Sequence, residues 1–210
     1  AGLFQRRLKA GEHRRPAWLT YISVPDAATA ALAAVRLGGK VLFGPRTFPD
    51  RGSEVVLADP QGAVFAALHS ASGDPGKAQL APGEWAWSSL ITADPDAAAA
   101  FYQGLFGYEV FDMSSGGAAR HLLLASGGFS RASVNSRPTS RPDERGHWLN
   151  FVRVQSAAAT VAKAEALGGR ILVQPRLGRS GDTIALVADP QGAVFGLLEA
   201  ASDARQGASQ

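Results

Sequence analysis

The sequence predicts an α+β fold built from repeated βαβββ modules, and two observations carry the prediction. The octapeptide ADPQGAVF occurs at Ala58–Phe65 and again at Ala188–Phe195. An offset of 130 residues then aligns much more: Trp18-Leu19 with Trp148-Leu149, Val24 with Val154, Leu37-Gly38-Gly39 with Leu167-Gly168-Gly169, and Pro45-Arg46 with Pro175-Arg176. Repetition on this scale marks one structural unit written twice.

Within the unit, hydrophobic periodicity changes in a fixed order. WLTYISV and WLNFVRV alternate with a period of two and are rich in aromatic and β-branched residues, so each is a strand. PDAATAALAAVRLGG and QSAAATVAKAEALGG are alanine-rich helices that stop at a glycine pair, where a left-handed C-cap costs no Cβ clash. KVLFGP and RILVQP are expected to be short strands closed by proline. EVVLA and TIALVA form the next strand, and DPQG turns the chain into AVFAAL or AVFGLL. Pro60 and Pro190 suit the second turn position because their φ is preset. Between the copies, Trp85–Asn135 repeats the order with other residues. WAWSSLIT is a strand, Asp94 or Asp96 can cap the helix DAAAAFYQGLFGY, and VFDMS, RHLLLA and RASVN supply three strands. Modules are expected at 16–70, 84–136 and 146–200.

An odd number of modules leaves one small sheet without a partner, an arrangement that is hard to stabilise alone. Carried backward, the offset sets Ala1–Phe4 on Arg131–Val134. Residues 1–15 are therefore expected to hold the last strand of a missing module and a connector. Residues 16–72 are then a single module, the second half of an incomplete first domain. The Gly- and Pro-rich 73–83 is a linker, 84–200 a complete two-module domain, and 201–210 a disordered tail. If the first module is absent, self-association through the unpaired 16–70 module is expected.

Composition narrows the function classes. The 21 basic and 18 acidic residues leave a net charge of +3 and no basic stripe, so no nucleic-acid partner is expected. No apolar run approaches the ~20 residues of a membrane span, so no membrane partner is expected either. Absence of cysteine removes disulfides and thiolate metal sites. The compartment stays open: cytoplasm is the default, and secretion or the periplasm would follow from a leader before Ala1.

ITADPDAAAAFYQGLFGYEV resembles the signature of the vicinal-oxygen-chelate superfamily, which holds glyoxalase I, the bleomycin-resistance proteins and the extradiol dioxygenases. The LGG, proline and DPQGAVF of the paired modules resemble the second half of the same domain. The resemblance spans residues 16–200. It implies that two modules pair into a curved, cup-like sheet with helices on the outside, 84–200 forming one complete cup and 16–70 half of another. In metal-dependent members a His, Gln or Glu projects from the first strand of each module and a Glu from the last. Such oxygen and nitrogen donors suit a divalent ion with open positions for substrate. The matching first-strand positions here hold Trp87, Leu149 and Leu19, and the last-strand positions hold Ala66, Gly196 and, near the middle module's end, Val134 or Asn135. No cofactor is therefore expected. A divalent metal is the alternative, with His147 and His121 as outside candidates for ligands.

Trp85, Trp87, Ser89 and Ile91 share one strand face, and Leu149, Phe151 and Arg153 share another. With Arg131, Asn135 and Gly196 they are expected to line the cup, which would be apolar and aromatic with a cation, as suits a small-molecule site. Arg153 would favour an anionic ligand. Tyr21 and Ser23 are expected in the half cup, while Phe101, Tyr102 and Phe106 follow helical spacing and belong to the core. The expected function is metal-independent binding of a small aromatic or anionic molecule. One alternative is a metal-dependent lyase or dioxygenase of the same superfamily; another is a non-catalytic structural or interaction scaffold with filled cups. Bleomycin-type sequestration fits poorly, because a basic chain suits a cationic ligand badly. Whether the chain is an enzyme is left open by its residues.

Overall fold

The structure, a computed structural model, describes residues 16–74, 80–138, 145–178 and 180–201. The strand expected before residue 16, the centre of the linker and the tail beyond residue 201 lie outside the described residues. The first module comprises β1 (Thr20–Ser23), α1 (Ala27–Arg36), β2 (Lys40–Phe48), β3 (Gly52–Ala58) and β4 (Val64–Ser70). The middle module comprises β5 (Trp85–Thr92), α2 (Pro95–Phe106), β6 (Glu109–Asp112), β7 (His121–Ser126) and β8 (Phe129–Ser136). The third comprises β9 (His147–Arg153), α3 (Ala157–Ala166), β10 (Arg170–Leu177), β11 (Thr183–Ala188) and β12 (Val194–Glu199).

Each helix starts where a side-chain oxygen takes an orphan amide: Asp26 from Thr29, Asp94 from Ala97 and Ser156 from Ala159. Of the two candidates in the middle module, Asp94 is the cap. The strands expected to close at proline instead run on, β2 through Pro45 to Phe48 and β10 through Pro175 to Leu177. Both are outermost strands with register shifts before the proline. An edge or bulged position makes no use of the missing N–H, so proline does not end the strand there.

β1-β4-β3-β2 form a four-stranded sheet, and β10-β11-β12-β9-β5-β8-β7-β6 form an eight-stranded one. Within each module the first strand runs parallel to the last, and antiparallel pairing of β5 with β9 joins the middle and third modules into one cup. β1 is the first-module counterpart of β9 and stands at the edge of its sheet. One core serves both sheets. It takes Ala27, Ala30, Ala31 and Ala34 of α1, Val55 and Leu57 of β3, Phe65 of β4, Phe101 and Tyr102 of α2, Leu90 of β5 and Trp148 of β9. The alanines of α1 let that helix approach its sheet closely, and the Phe65 ring fills the gap against Phe101, Tyr102 and Phe106 of α2. A smaller cluster under α3 holds Val154, Ala157, Val161, Ala185, Val187 and Leu197.

Polar contacts fix the first module on the cup. Asp59, in the first DPQG turn, accepts the amides of Gln61 and Ala63 at 2.9 Å each. Its second oxygen accepts the Tyr102 hydroxyl at 3.2 Å, and that hydroxyl accepts Trp148 Nε1 at 3.0 Å. Gln61 clasps the start of α2: its Oε1 accepts Thr92 Oγ1 at 2.5 Å and the Asp94 amide at 3.0 Å, and its Nε2 donates to the Asp94 carbonyl at 2.7 Å. Asn150 Oδ1 accepts hydroxyls from Thr20 of β1 and Ser88 of β5.

Tyr102→Phe removes the hydroxyl from this chain and leaves Asp59 and Trp148 each short of a partner. The expected cost is ~1–3 kcal/mol of stability in urea unfolding; an unchanged midpoint would mean the contact holds nothing together. Burial pushes the Asp59 carboxyl up, against the opposing pull of the turn amides. A raised folded value gives a contribution that is full below the ordinary carboxylate range and is lost as pH rises through the folded value. The stability of Asp59→Asn relative to the unaltered chain should therefore improve from about pH 4 to 7. A difference that stays flat across that range would contradict the assignment.

Candidate functional site

The concave face of the eight-stranded sheet is assembled by register. The row His147–Ile91–Asn135–His121 crosses β9, β5, β8 and β7, and the next row is Leu149–Ser89–Ser133–Leu123. Trp87 stands opposite Phe151, and Phe151 opposite Gly196. Ser89, Ser133, Leu149, Phe151 and Gly196 are buried, while Trp87, Asn135 and His121 are half-buried.

Ser133 is the hub of the polar floor. Trp87 Nε1 donates to its Oγ at 3.2 Å and Asn135 Nδ2 at 3.1 Å, and Ser89 Oγ lies 2.8 Å away. Asn135 Oδ1 in turn meets His121 Nδ1 at 2.5 Å. Ser133 was not among the expected site residues, although strict alternation from Asn135 places it on the same face. Its link to His121 runs through two strands and has no local sequence signal.

Two of the residues expected in the cup are elsewhere, each because of a bulge. The register of β5 against β9 shifts between Trp85 and Trp87, so Trp85 pairs with Val152 rather than continuing the face of Trp87. Its ring packs edge-on with Trp18 at 5.0 Å and Phe195 at 6.4 Å, on the α3 side of the sheet. β8 shifts similarly: Leu124 pairs with Ala132 and Ala125 with Ser130, leaving Arg131 as the extra residue. Arg131 lies over the Phe129 ring at 5.7 Å and beside Tyr108, whose hydroxyl burial pushes up while the Arg131 charge pulls it back. One inserted residue reverses side-chain parity on the bulged strand, and so re-aims both side chains.

Arg153 ends β9, and its Nη1 donates to the Leu80 carbonyl at 2.6 Å, which turns the guanidinium toward the linker. His147 Nδ1 lies 3.3 Å from the Arg145 carbonyl. Three inter-strand spacings, about 14 Å along the sheet, separate it from His121. In the first module, Tyr21 lies on the open sheet face with Arg51 over its ring at 5.3 Å, and Arg51 pairs with Glu54 at 3.1 Å. Burial, and then the Glu54 charge, push the Tyr21 hydroxyl up.

Equivalent first-strand residues Tyr21, Ser89 and Phe151 face Ala66, Ser133 and Gly196, so the middle-module position expected at Val134 or Asn135 falls on Ser133. A divalent ion at the superfamily's usual place would need donors at Trp87, Leu149, Gly196 and Ser133. These residues do not fit one. A Cβ built on Gly196 would fall 2.1 Å from Phe151 Cδ1 and 2.3 Å from its Cε1, so the Phe151 ring occupies the space into which a side chain at 196 would project. Asn135 is engaged at both ends of its amide. Among the described residues no three His, Asp or Glu side chains converge. Two cavities lie off this floor. One of ≈ 910 Å³ opens beside β1, between the sheets, lined by Ile22, Ala30, Phe106, Tyr108, Arg131 and Trp148. The other, of ≈ 400 Å³, lies at the end of β9 with Arg153, Ser156 and Thr160.

Comparison with known proteins agrees with this architecture. The family model described as Glyoxalase/Bleomycin resistance protein/Dioxygenase superfamily matches residues 85–197, the two modules of the cup. The protein named "Putative glyoxylase CFP32" of Mycobacterium bovis is 32% identical over 193 residues, covering 91% of this chain and 73% of that relative. "Anthracycline biosynthesis protein DnrV" of Streptomyces peucetius is 33% identical over 133 residues, covering 56% of this chain and 47% of the relative. Among solved structures, the 2,3-dioxygenase LapB from Pseudomonas sp. KL28 superposes with a TM-score of 0.57 at 14% identity, covering 86% of this chain and 70% of that one, a likeness of fold alone. With its paired βαβββ modules, its cup and these relatives, the chain belongs to the glyoxalase/bleomycin resistance protein/dioxygenase superfamily.

Proposed function

We propose that the cup of residues 84–200 binds a small aromatic molecule without a metal ion. The observation that carries this reading is the exchange of donor types on the floor. Where metal-dependent relatives would carry ligands, this chain has an aromatic ring over a glycine, and beside them a hydrogen-bonded chain of hydroxyl, amide and imidazole groups. Such a surface, apolar walls with a few convergent polar groups, suits a small organic molecule. Both cations that would have favoured an anion, Arg131 and Arg153, are held off the floor, which turns the expectation toward a neutral aromatic ligand. The burial of Leu149, Phe151 and Ser133 by the chain itself favours a second reading, a filled scaffold.

Protein purified without chelator should carry divalent metal well below one ion per chain by inductively coupled plasma mass spectrometry. A stoichiometric ion, lost on His121→Ala or His147→Ala, would make metal-dependent chemistry the better reading. Titration with small aromatic compounds should quench Trp87 emission, and Trp87→Phe should abolish the response. No quenching by any compound would favour the filled scaffold.

Gly196→Ala forces the Phe151 ring to move and should cost about 1–3 kcal/mol, as overpacking does. Phe151→Leu in the same chain should recover much of that loss, a coupling readable in a double-mutant cycle by thermal unfolding. Additive losses would mean the ring does not fill the position.

A further inference from the structure

The hydrogen bonds on the cup floor have a direction, and following it yields a recognition pattern. The indole N–H of Trp87 and the amide N–H of Asn135 can only donate, so together they occupy both lone pairs of Ser133 Oγ. The proton of Ser133 must then go to its third neighbour, Ser89 Oγ, 2.8 Å away. Ser89 becomes an acceptor in that bond, and its own proton has no acceptor among the described residues. The residue is buried, 8% exposed, on the concave face. At the other end of the chain the Asn135 amide oxygen can only accept, so His121 Nδ1 carries the proton. A neutral imidazole protonated at Nδ1 keeps its lone pair on Nε2, and among the described residues no donor meets that nitrogen.

We infer that the cup recognises its ligand through the Ser89 hydroxyl as donor and His121 Nε2 as acceptor. This inference rests on the reading of the cup as a binding site and adds the chemistry of what it takes. Ser89 and His121 stand on strands two apart, so on the order of 10 Å separates them. Trp87, Ile91, Leu123 and Leu149 lie along the rows between and beside them. A fitting ligand has a flat, neutral aromatic body of about three fused rings, with a carbonyl oxygen to meet Ser89 and a hydroxyl to meet His121.

The test uses 2-hydroxyanthraquinone and its 2-methoxy counterpart as probes, read by quenching of tryptophan emission in the full chain. The unaltered protein should prefer the hydroxy compound by about tenfold, the worth of one buried hydrogen bond. Ser89→Ala should weaken both probes by a similar factor. His121→Phe should erase the preference for the hydroxy over the methoxy compound. In the unaltered, ligand-free protein, long-range ¹H–¹⁵N correlation should show the His121 proton on Nδ1, a measurement that needs no variant to fold. Quenching that persists unchanged in both variants, or a proton found on Nε2, overturns the inference and leaves the cup as a binding site. If neither probe quenches up to its solubility limit, the binding reading falls and takes this inference with it.

Discussion

The hydroxyl of Tyr102 is the point at which the three modules meet. It donates to Asp59 in the turn of the first module, accepts from Trp148 at the start of the third, and is carried by the helix of the second. All three groups are buried, and burial raises the cost of leaving any of them unpaired. Burial, with the Asp59 charge beside it, pushes the Tyr102 hydroxyl well above its ordinary value, so it stays protonated and able to donate. These two bonds tie the three modules together at one point, and the Phe65 ring packs edge-on against Tyr102 beside them.

The same constraint explains why the repeated octapeptide is used twice with different consequences. Asp59 and Asp189 each accept two amides of their own turn. Among the described residues, Asp59 has a further side-chain partner in Tyr102 of the middle module's helix and Asp189 has none. Gln61 likewise clasps Thr92 and Asp94, while Gln191 is exposed. An identical local motif is a plain turn at one site and a clasp at the other, and the difference lies wholly in what packs against it.

Docking of the first module on the convex side leaves the concave floor of the cup to the second and third. There the superfamily's scaffold is kept. Phe151 packs over Gly196, and Ser133 accepts from Trp87 of β5 and Asn135 of β8. Fold membership is therefore compatible with a site whose chemistry is its own.

The residues of the sequence by themselves determined the modules. The 130-residue repeat, the glycine-terminated helices and the alternation of 148–154 are local patterns, and local patterns encode element type and order. Cap-to-strand spacing, fixed within a module, also put Trp87 and Leu149 at equivalent places on their strands, seven residues before the caps Asp94 and Ser156. Only the tertiary structure decided which side chains share the floor. Trp85 and Arg131 keep the right sequence parity but lose their place to bulges, which arise where a neighbouring strand imposes its own register. The link from Ser133 to His121 crosses strands that meet only through pairing. The sequence specifies each strand's two faces, but the face that looks into the cup at each position is set by the partner strand.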